Sequence, residues 1–376
     1  DLCEPINGSH YSDKMKQGVV WEEGMAKGAA LAAWRLPYGS EAFLLQDFSG
    51  GAVLTEGWDL SQLSSGFLAA PFIGLPYFLQ ADKVSSFSLT TKDRMAPFAV
   101  PAENSVKKAA FMGWVAEAIQ AIKQGPLQKV VLSRTDEHPL PTDFDVITAL
   151  EELGAAYPSA FVCALYIPAL KGVWMCATPE ILVEQNKEGL FRTISLAGTQ
   201  AGVDSFGEAI SPSQARWSQK EIEEQAFVSR YIIECFKKIR LREYTEIGPK
   251  TISTGNLLHL KTEYLVDTKA MDFPQLPGLM LRLLHPTSAV CGTPKQEAVD
   301  FILKTESHSR LMYSGYLGPV NLGSETHLYV NLRTVEIKGN QAVFYAGCGI
   351  TEDSDPEKEW QETQMKCQTL QRVLMQ

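Results

Sequence analysis

Several short stretches carry residues whose types and spacing can do chemistry. Gly347-Cys348-Gly349-Ile350 lies between an extended run and a helical pattern, a setting in which successive backbone N–H groups can cradle an anion. In the helical pattern that follows, Glu359, Glu362 and Lys366 fall on a different face from the apolar stripe of Trp360, Cys367, Leu370 and Leu374. Glu362 and Lys366 stand at i,i+4, so a surface ion pair worth roughly 0.2–0.5 kcal/mol competes with a functional role. Residues 217–241 form a second helical pattern, with Ile222, Ala226, Ile232, Ile233, Phe236 and Ile239 on one side and Glu221 and Glu224 elsewhere. Two further segments are hard to explain by folding alone: Leu196-Ala197-Gly198-Thr199, read as following a strand, and Leu284-His285-Pro286-Thr287 ahead of Gly292-Thr293-Pro294. Glu306 and Arg310, also at i,i+4, fit a structural ion pair as well as a functional one.

These residues need a scaffold. Strand-like runs recur at 42–45, 129–133, 160–166, 173–176, 181–184, 327–333 and 342–346, each rich in β-branched or aromatic residues and bounded by turn formers such as Lys338-Gly339-Asn340. Helices are expected over 105–124, which stops at Gly125-Pro126, over 217–241, and from Pro356 to the end, entered through Ser354-Asp355-Pro356-Glu357. Residues 67–79 are apolar but broken by Pro71, Gly74 and Pro76, too short to span a bilayer, and read as loop and buried strand. Many strands with helices at irregular intervals predict an α+β fold: a single large domain over 1–376, its multi-stranded β core flanked by helices.

Composition narrows the function. Of 376 residues 45% are hydrophobic and 21% charged, as in ordinary globular proteins, and the net charge of -10 with scattered Lys and Arg argues against nucleic acid as a partner. A small anionic substrate needs only two or three placed cations. Seven cysteines without CxxC spacing read as free thiols. Residues 1–14 have neither the basic start nor the apolar core of a signal peptide, so a cytoplasmic protein without membrane attachment is expected.

The order of the motifs resembles the chorismate-utilising enzymes, the family of anthranilate synthase large subunits, aminodeoxychorismate synthases, isochorismate synthases and salicylate synthases. The matching stretches are KVVLSR (129–134), TPE (178–180), SLAGT (195–199), KEIEEQ (220–225), the LHL and KT of 258–262, LHPTSAVCGTP (284–294), ESHSRLMYSGYLG (306–318), YVNLR (329–333), AGCGI (346–350) and DPEKEWQETQMK (355–366). They cover 105–376, and residues 1–104 form a divergent N-terminal part.

The resemblance implies that chorismate loses its C4 hydroxyl to a nucleophile arriving at another ring carbon while Mg²⁺ holds the ring carboxylate. Glu224 and Glu362 would be the metal carboxylates, in keeping with the preference of Mg²⁺ for a few hard oxygen ligands. Glu180 matches the general acid. At the head of the VVLSR strand, nitrogen-installing members carry Gln and water-adding members Lys; here it is Lys129, which would act as the base. Aminodeoxychorismate synthases commonly place a nucleophilic Lys where this chain has Ala197. Substrate contacts are implied for Ala197, Gly198, Thr199, His259, Tyr329, Arg333, Lys366 and the backbone at Gly347 and Gly349, with His285 less secure; without the family, either His reads as a hydrogen-bonded core residue. The expected activity is isochorismate synthase, without a glutaminase subunit and as a monomer. Its rivals are a salicylate synthase, an aminating member of the family and a non-catalytic chorismate-binding protein.

Overall fold

The computed structural model describes residues 8–89, 104–204, 208–254 and 257–376; Cys3 and the extreme N-terminal residues read above lie outside them. The six other cysteines are free and buried. Two nine-stranded antiparallel sheets dominate the described residues. The first runs, in spatial order, Gly292–Thr293, Lys129–Pro139, Gln341–Ile350, Thr334–Lys338, Val173–Thr178, Phe161–Tyr166, Ala30–Arg35, Glu41–Asp47 and Lys83–Ser88. The second runs Thr245–Thr254, Leu257–Asp267, Leu190–Ala201, Ile181–Gln185, Thr326–Val330, Tyr316–Val320, Gly66–Ala70, Tyr77–Gln80 and Ala52–Val53. The divergent N-terminal part thus supplies strands to both sheets.

The sheets pack face to face. Strand alternation sends Ala30, Ala32 and Trp34 to the space between them and Leu31 and Ala33 to the opposite face. Phe161 stacks on Tyr329 across this space, centroids 4.2 Å apart, and Trp34 meets Phe67 at 5.3 Å. Each such side chain withdrawn from water stabilises the fold by roughly 1.5–3 kcal/mol. Helices Gly8–Ala26, Val146–Ala156 and Pro356–Leu374 cover the outer face of the first sheet, and Gln219–Lys238 and Leu276–Leu284 that of the second. Ser105–Gln124 and Lys295–Thr305 pack at the Lys129 end of the first sheet. The layering is helix, sheet, sheet, helix.

Local chemistry accounts for the helix starts. Asn104 accepts hydrogen bonds from the N–H groups of Val106 and Lys107, and Asp355 from that of Lys358. Ser218 and Glu221 form a capping box, so the second expected helix begins at Gln219 and runs to Lys238, inside the 217–241 read from sequence. Leu196–Thr199 does not follow a strand but belongs to one, Leu190–Ala201, and Gly347–Ile350 is the last part of the Gln341–Ile350 strand. At 67–79 two strands, Gly66–Ala70 and Tyr77–Gln80, are joined by the Pro71–Pro76 segment.

Candidate active site

At one end the inter-sheet core gives way to a cleft. Its walls include Val131, Glu180, Leu196 to Thr199, Glu224, His259, Arg333, Gly347 and Lys366. The cleft exists because side chains are missing from inward-facing strand positions. Cys348 and Ile350 face the outer helices, whereas Tyr345 and Gly347 face inward. A Cβ on Gly349 would stand 2.3 Å from Glu224 Oε1 and 2.9 Å from Lys129 Cε, and one on Gly347 2.9 Å from the Tyr313 hydroxyl.

The backbone there offers donors, though not as a loop. Val131 N–H donates to Cys291 O (2.7 Å) and Ser133 N–H to Glu306 Oε1 (2.7 Å), both away from the glycine strand. Gly349↔Val131 and Gly347↔Ser133 are therefore the non-hydrogen-bonded pairs of the ladder, and both glycine N–H groups also point away from it. The next strand, Thr334–Lys338, pairs only as far as Tyr345, so these donors lie on an edge beyond its end.

Lys129 is fully buried at the start of its strand, with Nζ 3.2 Å from Glu224 Oε1. It is not among the residues lining the cleft; Glu224, its ion-pair partner, is. Lys366 Nζ binds Glu362 Oε1 at 2.7 Å and donates to Gly347 O at 3.0 Å. Lys220 pairs with buried Glu359 at 2.5 Å. Burial works against the ammonium of Lys220, yet Glu359, Glu362 and Glu224 together hold its pKa above the ordinary lysine value. Burial likewise opposes ionisation of Glu224, and Lys129, Lys220 and Lys366 override it, keeping this carboxyl below the usual carboxylate range.

Glu180 sits between two strands, its N–H donating to Thr178 Oγ1 (3.3 Å) and its carbonyl accepting from Val330 N–H (2.9 Å). Burial pushes its pKa up to about 8 against the pull of Lys129, Lys366 and Arg333, so its carboxyl is protonated at neutral pH. It lies on the cleft wall. A carboxylic acid held neutral beside cations is ready to give up a proton.

Arg333 adopts a positive φ of 48° just after its strand and donates through NH2 to His259 Nε2 at 2.8 Å. His259 Nδ1 donates to Gly198 O at 3.1 Å, with Thr199 Oγ1 at 3.3 Å. Burial, with Arg333 and Lys366 nearby, pushes the His259 pKa well down; the ring is neutral, its Nε2 free to accept. The NH1 group of Arg333 is buried without a partner, and the residue lines the cleft. That is the donor a planar carboxylate would complete.

The remaining expected residues divide. Ala197, Gly198 and Thr199 line the cleft, while Tyr329 does not: its ring is stacked on Phe161 in the inter-sheet core. Strand alternation turned it inward into packing, which corrects the reading of Tyr329 as a substrate contact. His285 is also structural, with Nε2 donating to Pro71 O (3.2 Å), the ring edge-on to Tyr316, and a pKa brought down to about 4 by burial. Arg310 pairs with Glu306 and donates to the carbonyls of Val131 and Val290, holding two cleft residues in place. Sequence reading missed Tyr313 and Tyr345 as site residues, stacked at 5.4 Å on the cleft wall, and named Glu359 and Lys220 only within a helix face and a motif, without their pairing beside the carboxylates. The paired aromatics come from distant segments, and no local pattern signals them.

The residues present fit Mg²⁺. Glu224 and Glu362 both act on Lys220 and Lys366, so their hard oxygens share one small neighbourhood, and Glu359 Oε2 beside them is buried without a partner. Among the described residues no group of three or more His, Cys, Asp or Glu could hold a metal by itself. A two-carboxylate site completed by water and substrate suits Mg²⁺ rather than a zinc-type cage.

Comparison with known proteins identifies the family. The family model described as chorismate binding enzyme matches residues 79–375. The isochorismate synthase EntC of Escherichia coli (strain K12) is 30% identical over 270 residues, covering 71% of this chain and 67% of that protein. The menaquinone-specific isochorismate synthase MenF from Escherichia coli superposes with a TM-score of 0.69 at 19% identity, covering 92% of this chain and 88% of that one. Anthranilate synthase component I from Streptococcus pneumoniae TIGR4 gives 0.63 at 16%, over 90% and 89%. At those identities the two structures show the shared fold.

Proposed function

The chain belongs to the chorismate-binding enzyme family, and from that premise we propose that it is an isochorismate synthase, converting chorismate to isochorismate. The observation that carries the reading is a buried Glu180 on the wall of a cleft, with buried Lys129 held behind that wall by Glu224 and an Ala197 that offers no nucleophile. Water is then the attacking group. Acting as the neutral amine once its ion pair with Glu224 is broken, Lys129 takes a proton from it as its oxygen bonds to C2 of the ring; both ring double bonds shift by one position, the C4–O bond breaks, and Glu180 protonates the departing hydroxyl. One water enters and one leaves. Such acid–base groups contribute about 10²–10⁴-fold each.

Arg333, oriented by neutral His259, takes one substrate carboxylate through its open NH1, and the N–H groups of Gly347 and Gly349 supply further donors. Lys366 balances Glu362 and sits by Gly347 O at the same wall. Glu224 and Glu362 would hold Mg²⁺, which supplies charge neutralisation at the ring carboxylate when bound. The whole chain acts as one catalytic unit, a cytoplasmic monomer needing no glutaminase. Its product serves menaquinone or siderophore synthesis.

The test is to incubate the purified chain with chorismate and Mg²⁺ in ¹⁸O-labelled water and identify the product. Isochorismate carrying one label at its C2 hydroxyl is expected. Salicylate with pyruvate in place of isochorismate would move the assignment to salicylate synthase, and an aminated ring on adding ammonium would overturn the role of Lys129.

A further inference from the structure

Gln225, the residue after Glu224, is buried, and every group of its carboxamide is engaged. Its Oε1 accepts from Ala197 N–H at 3.0 Å, and its Nε2 donates to Ser195 Oγ at 2.8 Å and Thr262 Oγ1 at 3.1 Å. The strand it touches is irregular at that point. Register runs Leu196↔Lys261 and Ala197↔Leu260, then jumps to Thr199↔His259, so Gly198, at φ 65°, is the extra residue of a β-bulge. On the other side, pairing with Ile181–Gln185 ends at Arg192. The bulged stretch forms cleft wall, and its Gly198 carbonyl accepts from His259, the ring that orients Arg333.

We propose that Gln225 is a positioning residue whose carboxamide ties the bulged wall Ala197–Thr199 to the helix turn carrying Glu224, so that metal carboxylate and substrate wall keep one mutual geometry. A side chain one residue from Glu224 that loses its hold on the strand removes one direct tie between the bulge and that helix turn. Glu221 of the same turns already packs against the bulge: a Cβ on Gly198 would lie 3.1 Å from Glu221 Cβ. The inference rests on the metal and substrate roles given above.

The experiment compares the parent with Gln225→Met, which keeps the bulk and removes the hydrogen bonds, and Gln225→Glu, which keeps an acceptor for Ala197 N–H. Three quantities are read: thermal midpoint, chorismate kinetics against Mg²⁺ concentration, and direct Mn²⁺ binding by electron paramagnetic resonance. Removing a residue that orients a metal ligand typically weakens metal binding about 10–100-fold. The Met variant is expected to fold, to weaken Mn²⁺ by about tenfold or more and to raise the half-saturating Mg²⁺ in parallel, with Gln225→Glu staying near the parent. A Met variant that loses only thermal stability, with both metal readouts unchanged, overturns the inference alone. A parent that neither converts chorismate nor binds Mn²⁺ overturns it together with the functional reading.

Discussion

Replacing Glu180 with Gln should stop the reaction and make the protein more stable. The carboxyl has a folded-state pKa of about 8 against an ordinary value of 4.5, so the folded protein keeps a proton that the unfolded chain releases. Below pH 4.5 both states hold it and nothing is lost; as pH rises from there to 8, stability falls by about 1.4 kcal/mol per pH unit, several kcal/mol in all. Gln is a neutral mimic of the protonated acid and carries no such penalty. Urea unfolding of parent and Glu180→Gln at pH 5.5 and 7.5 isolates this group, because every other titration is common to both proteins. The stability difference in favour of the variant should grow by about 2–3 kcal/mol between those pH values. Turnover should fall about 10²–10⁴-fold. Parallel pH dependence of the two unfolding midpoints would refute a proton held at Glu180, whatever happened to the activity.

Lys129→Gln should lose a similar factor of about 10²–10⁴ in kcat, checked by product formation together with circular dichroism to establish the fold. Gly349→Ala forces a Cβ onto Glu224 Oε1, and misplacing a site group by about 1 Å can cost 10²-fold; chorismate turnover and Mn²⁺ affinity should drop together. His327, away from the cleft, is held by Glu184 and Glu325 at 2.8 and 3.3 Å, and these partners outweigh burial to raise its pKa. Its charged pairing stabilises the fold below pH 6.5 and is lost as pH rises through the raised value, so His327→Gln should cost about 1–3 kcal/mol at pH 6 and little at pH 9. Urea titrations at the two pH values check it.

What the sequence made legible follows from how local each signal is. The Ser105–Gln124 helix was readable to the residue from its apolar period and the Gly125-Pro126 stop, and the structure adds the Asn104 cap that fixes its start. Gly198 and Gly347 misled because glycine reads as turn, whereas here one makes a bulge and the other makes room, both inside strands. The Ala30–Arg35 strand was missed because ALAAWR is buried on both faces, and a continuous apolar run has no period to read. The inward turn of Tyr329 depends on which sheet lies opposite, and the Tyr313–Tyr345 stack joins positions 32 residues apart. The family resemblance placed Glu180, Glu224, His259 and Arg333 by motif, and their cleft walls could not be drawn until both sheets were in place.

The cleft is cut from the core of a sandwich and not assembled from loops above it. Diversification of such a site is constrained: connections remote from the short links that carry Glu180 and Arg333 can lengthen, shorten or drift without touching the reacting groups. Much of what enters the cleft is set by strand positions such as Val131, Ala197 and Tyr345, each hemmed in by packed neighbours. An engineer seeking a new substrate here would have to redesign small blocks of facing strand residues together, because loop grafting alone, the usual route on barrel scaffolds, leaves the strand-built walls as they were.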